Sequence, residues 1–144
     1  MDKIKAVRIM CDWCADGIWQ APTILNSCIE GFRVSDGLWQ RIQRWQEWHD
    51  TQDPLLCTHD NPDFDLAAFV AEGLSIAKAV KREFPGWIVV YHDERKFFEA
   101  CQSDLSRDYY ELQVEWTPGP SNKCQKLLEK AQRTSKRCYY VDCR

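Results

Sequence analysis

The residues with the greatest capacity for chemistry in this sequence are eight cysteines and three histidines. Cys11 and Cys14 have the spacing of a zinc ligand pair or of a redox dithiol. A structural zinc site needs two more ligands, and a redox dithiol normally opens a helix, whereas Ala15-Asp16-Gly17 after Cys14 is a turn sequence. Zinc binding or thiol chemistry at this pair therefore stays open as an alternative, although the motif is incomplete.

A cysteine nucleophile with a histidine base is the second chemistry that these residue types permit. Cys57 or Cys101 is the candidate nucleophile, with His92 and the following Asp93 as its partners. The chain lacks a phosphate-binding glycine loop, a Gly-x-Ser-x-Gly elbow and a His-Glu-x-x-His motif. We therefore expect a protein that is not an enzyme and that uses no cofactor and no metal, with a small cysteine-based enzyme as an alternative.

Composition is typical of a soluble globular domain. The 144 residues are 44% hydrophobic and 28% charged, and no stretch of 18 apolar residues is present to cross a membrane. The N-terminal residues alternate charged and apolar side chains and do not resemble a secretory signal. We expect a cytoplasmic protein with reduced cysteines, folded as one domain over residues 1–144, because no linker or repeat divides the chain.

The periodicity of apolar residues predicts the elements that must position these groups. Ser35 is a good N-cap for a helix, and Asp63 or Asp65 can cap a second one that ends before Pro85-Gly86. The first predicted helix spans about residues 36–50, and the second runs from its cap at Asp63 or Asp65 to the residues before Pro85. A third runs from its cap at Ser121 or Asn122 to about residue 136, and a shorter one is predicted at 94–101. Strands are predicted at residues 3–11, 18–20, 87–91, 109–116 and 138–141. Together these elements predict an α+β fold, in which a mixed or antiparallel sheet of about four or five strands packs on two or three helices.

Charge is unevenly distributed along the chain. Residues 45–77 contain seven acidic side chains and no lysine or arginine, in a protein whose net charge is −3. Turns and helix caps account for some of these acids, and the others form a surface that would attract a basic partner. The run 60–65 resembles a calcium loop, but its proline and the missing glycine and glutamate exclude an EF-hand. The candidate partner-binding residues are Glu47, Asp50, Asp53, Asp60, Asp63 and Asp65, together with the aromatic Trp48.

Two further features bear on the kind of partner. The predicted helix 121–136 is basic, but the overall pI of about 5.6 argues against nucleic acid as a direct partner. Trp13, Trp19 and Trp116 lie near predicted turns, where they would form an aromatic patch beside the acidic residues. Aromatic side chains rimmed by charge are typical of protein–protein binding sites.

The succession of these segments resembles a known class of proteins. A Trp-rich helix over residues 38–46, an acidic loop with prolines, the start of a helix at 64–74 and the sequence Phe84-Pro85-Gly86-Trp87-Ile88-Val89-Val90-Tyr91 are similar to small bacterial immunity proteins of polymorphic or contact-dependent toxin systems. The resemblance covers residues 35–94. It implies a cytosolic protein that binds one toxin domain tightly and blocks its active site or substrate surface. An acidic surface would suit a basic toxin, such as a nuclease.

Overall fold

The computed structural model describes residues 4–21, 29–56 and 60–117, and the backbone of residues 139–140. The elements in chain order are β1 (Ala6–Ile9), β2 (Ile18–Gln20), α1 (Asp36–His49), α2 (Leu66–Glu83), β3 (Ile88–His92), α3 (Glu94–Ser103), a 3₁₀ turn (Arg107–Tyr109), β4 (Glu111–Glu115) and β5 (Tyr139–Tyr140). No helix in this part of the chain is both long enough and apolar enough to cross a bilayer.

The five strands form one mixed sheet in the order β2-β1-β3-β4-β5. β1 runs parallel to β3, and β4 runs parallel to β5, whereas the β1–β2 and β3–β4 pairs are antiparallel. The α+β prediction with four or five strands and two or three helices is thus confirmed. The predicted helix over residues 121–136 lies outside the described residues.

One face of the sheet carries the core. Val7 and Ile9 of β1, Val89 and Tyr91 of β3, and Val114 of β4 alternate along their strands and are fully buried. They pack in one cluster with side chains from α1 and α2, so both helices lie on this face. Each helix begins where its capping residue predicts, because the side chains of Ser35 and Asp65 accept backbone N–H bonds from the first turns.

A close contact between α1, α2 and the sheet fixes how far the helices stand from the strands. The indole of Trp45 stacks on Phe69 with ring centroids 5.0 Å apart, and its Nε1 donates to the Phe69 carbonyl at 3.1 Å. The hydroxyl of Tyr91 donates to the Val70 carbonyl. Gly73 lies between these two rings, where a Cβ atom would meet Tyr91 at 2.7 Å as well as Trp45. Glycine is therefore needed at this position for close approach of the helix.

Two polar links hold the helices in register with one another. Arg41 of α1 donates from Nε and Nη2 to the Glu72 carboxylate of α2 at 2.7 and 3.0 Å, a two-pronged pairing. Where α1 begins and α2 ends, Ser35 donates from its backbone N–H and its hydroxyl to the carboxylate of Glu83, so the two helices are antiparallel. The C-terminus of α1 and the N-terminus of α2 therefore meet at one end of the molecule.

The opposite face of the sheet contains an enclosed ion pair. Arg8 Nε lies 2.8 Å from Glu111 Oε1, with only 6% and 13% of the two side chains exposed. Burial acts to raise the pKa of Glu111, but the neighbouring His92 and Arg8 outweigh it and hold the pKa of this carboxyl below its ordinary value. The sheet is thus apolar on its helical face and includes a paired charge on the other.

Candidate functional site

The candidate acidic residues lie at the end of the molecule where α1 finishes and α2 begins. All six are exposed, and we call them the acidic loop surface: Glu47, Asp50, Asp53, Asp60, Asp63 and Asp65. Glu72, the seventh acidic residue of segment 45–77, forms an ion pair with Arg41 and belongs to the contact between α1 and α2 instead. The six acids therefore flank a single helix connection, and all of them are exposed.

Local hydrogen bonds account for three of these carboxylates. Asp65 caps α2 by accepting from the Ala68 amide, and Asp53 accepts from the Leu55 amide. Asp50 Oδ1 accepts from Gln46 Nε2 at 3.0 Å and lies 2.9 Å from His49 Nδ1. Each of these bonds orients a carboxylate, and its partner is an amide or an imidazole rather than a lysine or arginine side chain. Turn and cap chemistry thus coexists with an acidic surface.

Trp48 is less available than its place in this set predicts. Its ring is half-buried and packs on Phe64 and Phe69, with centroid distances of 5.7 and 5.4 Å. Trp48 is therefore a packing residue in the free protein, because its ring joins Phe64 of the loop between the helices to Phe69 of the core. One edge of the ring borders a shallow groove with Arg41 and Arg44.

Sequence reasoning missed two apolar side chains within the acidic loop surface. Leu55 is 90% exposed and Leu56 is 45% exposed, and both lie between Asp53 and Asp60. Solvent-exposed leucines are common one at a time, but an adjacent exposed pair that carboxylates flank along the chain has the composition of an apolar centre with a charged rim. The signal in the sequence was the Pro54-Leu55-Leu56 run, which fits neither a helical nor a strand period.

The three tryptophans predicted to form an aromatic patch are in different environments. Trp13 is 44% exposed, whereas Trp19 and Trp116 are half-buried. Trp19 Nε1 donates to the Met10 carbonyl, and Trp116 packs against the core cluster. Only Trp13 therefore fits the exposed role that was predicted for all three.

A second concave feature lies where β1 and β3 end. This strand-end cleft has a volume of about 440 Å³. Its lining is Met10, Cys11, Asp12, Trp13, His49, Leu66, His92, Glu94, Phe97, Phe98 and Cys101. His49 reaches the cleft from the last turn of α1, with its Nε2 3.8 Å from Glu94 Oε1 and its ring 5.1 Å from that of Trp13. Residues from five separate segments meet here, so their spacing in the sequence does not reveal the cleft.

The strand-end cleft contains several of the residues assigned to the thiol alternatives. Cys11 is buried, and burial, reinforced by Glu94, Asp50 and Asp12, raises the pKa of its thiol far above the ordinary range. A thiol held protonated in this way is a poor nucleophile and a poor metal ligand. Cys14 is exposed and lies in a turn with φ 58°, so it does not open a helix as a redox dithiol normally does.

The remaining residues of the enzyme and zinc alternatives are only partly assembled. Cys101 and His92 both line the cleft, but Asp93 is buried as the N-cap of α3, where it accepts from the Lys96 amide. The other candidate nucleophile, Cys57, lies outside the described residues. Within residues 4–21, 29–56 and 60–117, no three His, Cys, Asp or Glu side chains are grouped so as to hold a metal ion.

Comparison with known proteins identifies one relationship. Residues 5–94 match the model of a family described as Serratia CdiI immunity protein-like. This range contains β1 to β3, both long helices and the acidic loop surface, and it includes all of residues 35–94, on which the resemblance was based. No curated protein matches the chain.

Proposed function

This chain belongs to the Serratia CdiI immunity protein-like family, and on that premise we propose that it neutralises a cognate toxin domain by binding it through the acidic loop surface. Family membership indicates toxin neutralisation and a toxin partner. The surface used, the basic character of the toxin and the nuclease activity that would suit such a toxin are our proposals. We also propose that the protein works in the cytosol, where its cysteines stay reduced.

The observation that carries this proposal is the exposed, one-signed charge of the acidic loop surface. Six exposed carboxylates flank one helix connection, in a segment, 45–77, whose sequence contains no lysine or arginine. Like charges held so close together destabilise a folded protein unless a partner uses them. A toxin that binds nucleic acid must present basic side chains, so its substrate surface is complementary to this one.

Electrostatic attraction gives an inhibitor speed as well as orientation. Complementary charge raises association rates well above those of neutral protein pairs, and the effect weakens as salt is added. Affinity requires an apolar centre in addition, which the adjacent Leu55 and Leu56 provide inside the charged rim. The acidic loop surface therefore contains both components that rapid and tight binding needs.

The test compares two charge reversals that alter net charge equally. Glu47→Lys/Asp63→Lys changes the acidic loop surface, and Glu99→Lys/Asp108→Lys changes exposed acids in and after α3. None of these four substitutions removes a helix cap, so both variants should keep the circular dichroism spectrum of the wild type. The binding partner is the toxin domain encoded beside the immunity protein.

We expect the first variant to associate with the toxin at least about tenfold more slowly at low salt, and to lose most of the salt dependence of association. The second variant should change the association rate much less. Equal rates for the two variants would mean that only net charge matters, and the acidic loop surface would then not be the binding surface.

A further inference from the structure

The strand-end cleft lies next to the acidic loop surface but is a separate feature. Met10 and Cys11 follow β1, and His92 ends β3, so the cleft opens at the carboxyl ends of two parallel neighbours. Ligands of open α/β sheets commonly bind at such strand ends, where side chains emerge beyond the last ladder bonds. Asp50 joins the two features, because it belongs to the acidic loop surface and binds His49 of the cleft wall.

Two carboxylates and two histidines are the ionisable side chains that line the cleft besides its cysteines. Asp12 and Glu94 supply the carboxylates, and none of the lining residues that the structure describes is a lysine or an arginine. Asp50 adds a third carboxylate close enough to act with these two on the thiol of Cys11. The position therefore favours a cation on electrostatic grounds.

Aromatic surface lies beside these carboxylates. Trp13 is 44% exposed and Phe97 is 40% exposed, and both line the cleft. A cation placed over the face of such a ring is attracted by its quadrupole, and tryptophan is the strongest partner. A planar guanidinium also stacks on aromatic rings and pairs with carboxylates through two hydrogen bonds, which an ammonium group does not do.

Gln46 does not line the cleft, but it holds the backbone of the lining residue Asp12 from the buried side. Gln46 is 3% exposed and its Nε2 donates to the Asp12 carbonyl at 2.8 Å and to Asp50 Oδ1. The carboxylates of Asp12 and Glu94 in the lining only accept hydrogen bonds, so they suit a ligand that only donates, as a guanidinium does.

We infer that the strand-end cleft receives an arginine side chain from the toxin domain, held between the carboxylates of Asp12 and Glu94 and the ring of Trp13. The inference rests on the proposed function for the identity of the partner. The chemistry of the cleft itself is independent of that partner.

The first experiment therefore tests the cleft without the toxin. The full chain, labelled with ¹⁵N, is titrated with N-acetyl-arginine methylamide, with the lysine analogue, and with the uncharged citrulline analogue, which has nearly the same shape. We expect saturable shifts of the Trp13 indole and of the amides at 10–13 and 94–98 with arginine, weaker shifts with lysine, and none with citrulline. A citrulline response equal to that of arginine, or no response at these positions, would overturn the inference.

Matched variants show which carboxylate acts. Glu94→Gln should weaken binding of the arginine compound about two- to fivefold, the usual range for one partly exposed ion pair. Glu99→Gln, five residues later on the exposed side of α3, should leave binding unchanged. Equal weakening by both variants would show a general charge effect and would contradict a specific site.

A second experiment relates the cleft to the toxin domain. Glu94→Gln should lower the affinity for the toxin, while Glu99→Gln should not. If the toxin binds wild type and Glu94→Gln equally, the proposed function stands and the cleft is not where the toxin's arginine binds. If the wild type does not bind the toxin, the proposed function fails, and the arginine titration still decides whether the cleft selects a guanidinium.

Discussion

Leu55 gives the most direct test of the apolar centre in the acidic loop surface. The side chain is 90% exposed in the free protein, so a partner that covers it would remove nearly all of its surface from water. Leu55→Ala deletes three carbon groups, each contributing about 0.8 kcal/mol on burial. If the toxin covers most of the side chain, the variant should lose about 1.5–2.4 kcal/mol of binding free energy, which is roughly a 10- to 60-fold increase in Kd.

The loss should appear mainly as faster dissociation, because the substitution leaves every charge in place. Surface plasmon resonance with the immobilised toxin domain measures both rate constants, and thermal unfolding of the free protein measures stability. Stability should stay within about 0.5 kcal/mol of wild type, since an exposed side chain contributes little to the fold.

Ile4→Ala is the matched control for this measurement. Ile4 is also an exposed aliphatic residue, with 66% of its surface accessible, and it precedes β1. The control should bind the toxin with an unchanged Kd. Wild-type affinity for Leu55→Ala would refute the reasoning, and so would a marked loss of stability, because Leu55 would then be a packing residue of the free protein.

Two predictions concern stability. Gly73→Ala should destabilise the protein by about 1–2 kcal/mol in urea unfolding, because crowding against Tyr91 outweighs the helix propensity gained. Gly37→Ala is the control, and it should stabilise the protein by about 0.5–1 kcal/mol because the space around Gly37 is open. A stabilised Gly73→Ala variant would contradict the packing described for Gly73. Glu111→Gln should cost about 1–3 kcal/mol near pH 7. The pKa of Glu111 is lowered by folding, so its contribution is present above the ordinary value of 4.5 and is lost as the pH falls through the folded pKa. Unfolding curves across this range should therefore converge for wild type and Glu111→Gln at low pH, and a constant difference would contradict the assignment.

The sequence was most informative about the helices. Apolar spacing and the Ser35 cap predicted α1 within one residue at its end, and of the two caps predicted for α2, Asp63 and Asp65, the structure has Asp65. The strands were predicted in number and approximate place, but β1 is shorter than the predicted 3–11 because its ladder is limited by the registers of β2 and β3. Local signals decide where an element forms, so they were sufficient here.

Strand order and the strand-end cleft were not predictable in the same way. The parallel pairing of β1 with β3 joins Ala6 to Ile88, and no local pattern specifies a contact of that sequence separation. The cleft depends on this pairing, since it places His92 and Glu94 beside Cys11 and Asp12. The place of the six acids around one helix connection was predictable because they are neighbours along the chain, whereas their role in binding a partner stays a prediction.

The parallel pairing of β1 with β3 also has a consequence for synthesis on the ribosome. β1 has a parallel neighbour only after β3 has been made, and β3 in turn is bordered by β4, which ends at Glu115. At about 5–20 residues per second, a ribosome needs roughly 6–23 s to reach Glu115. Until then α1 and α2 lack part of the sheet that completes their core. Nascent chains stalled before β4 would therefore lack part of the sheet, and they would expose the apolar face of α1 and α2 to chaperones during that interval.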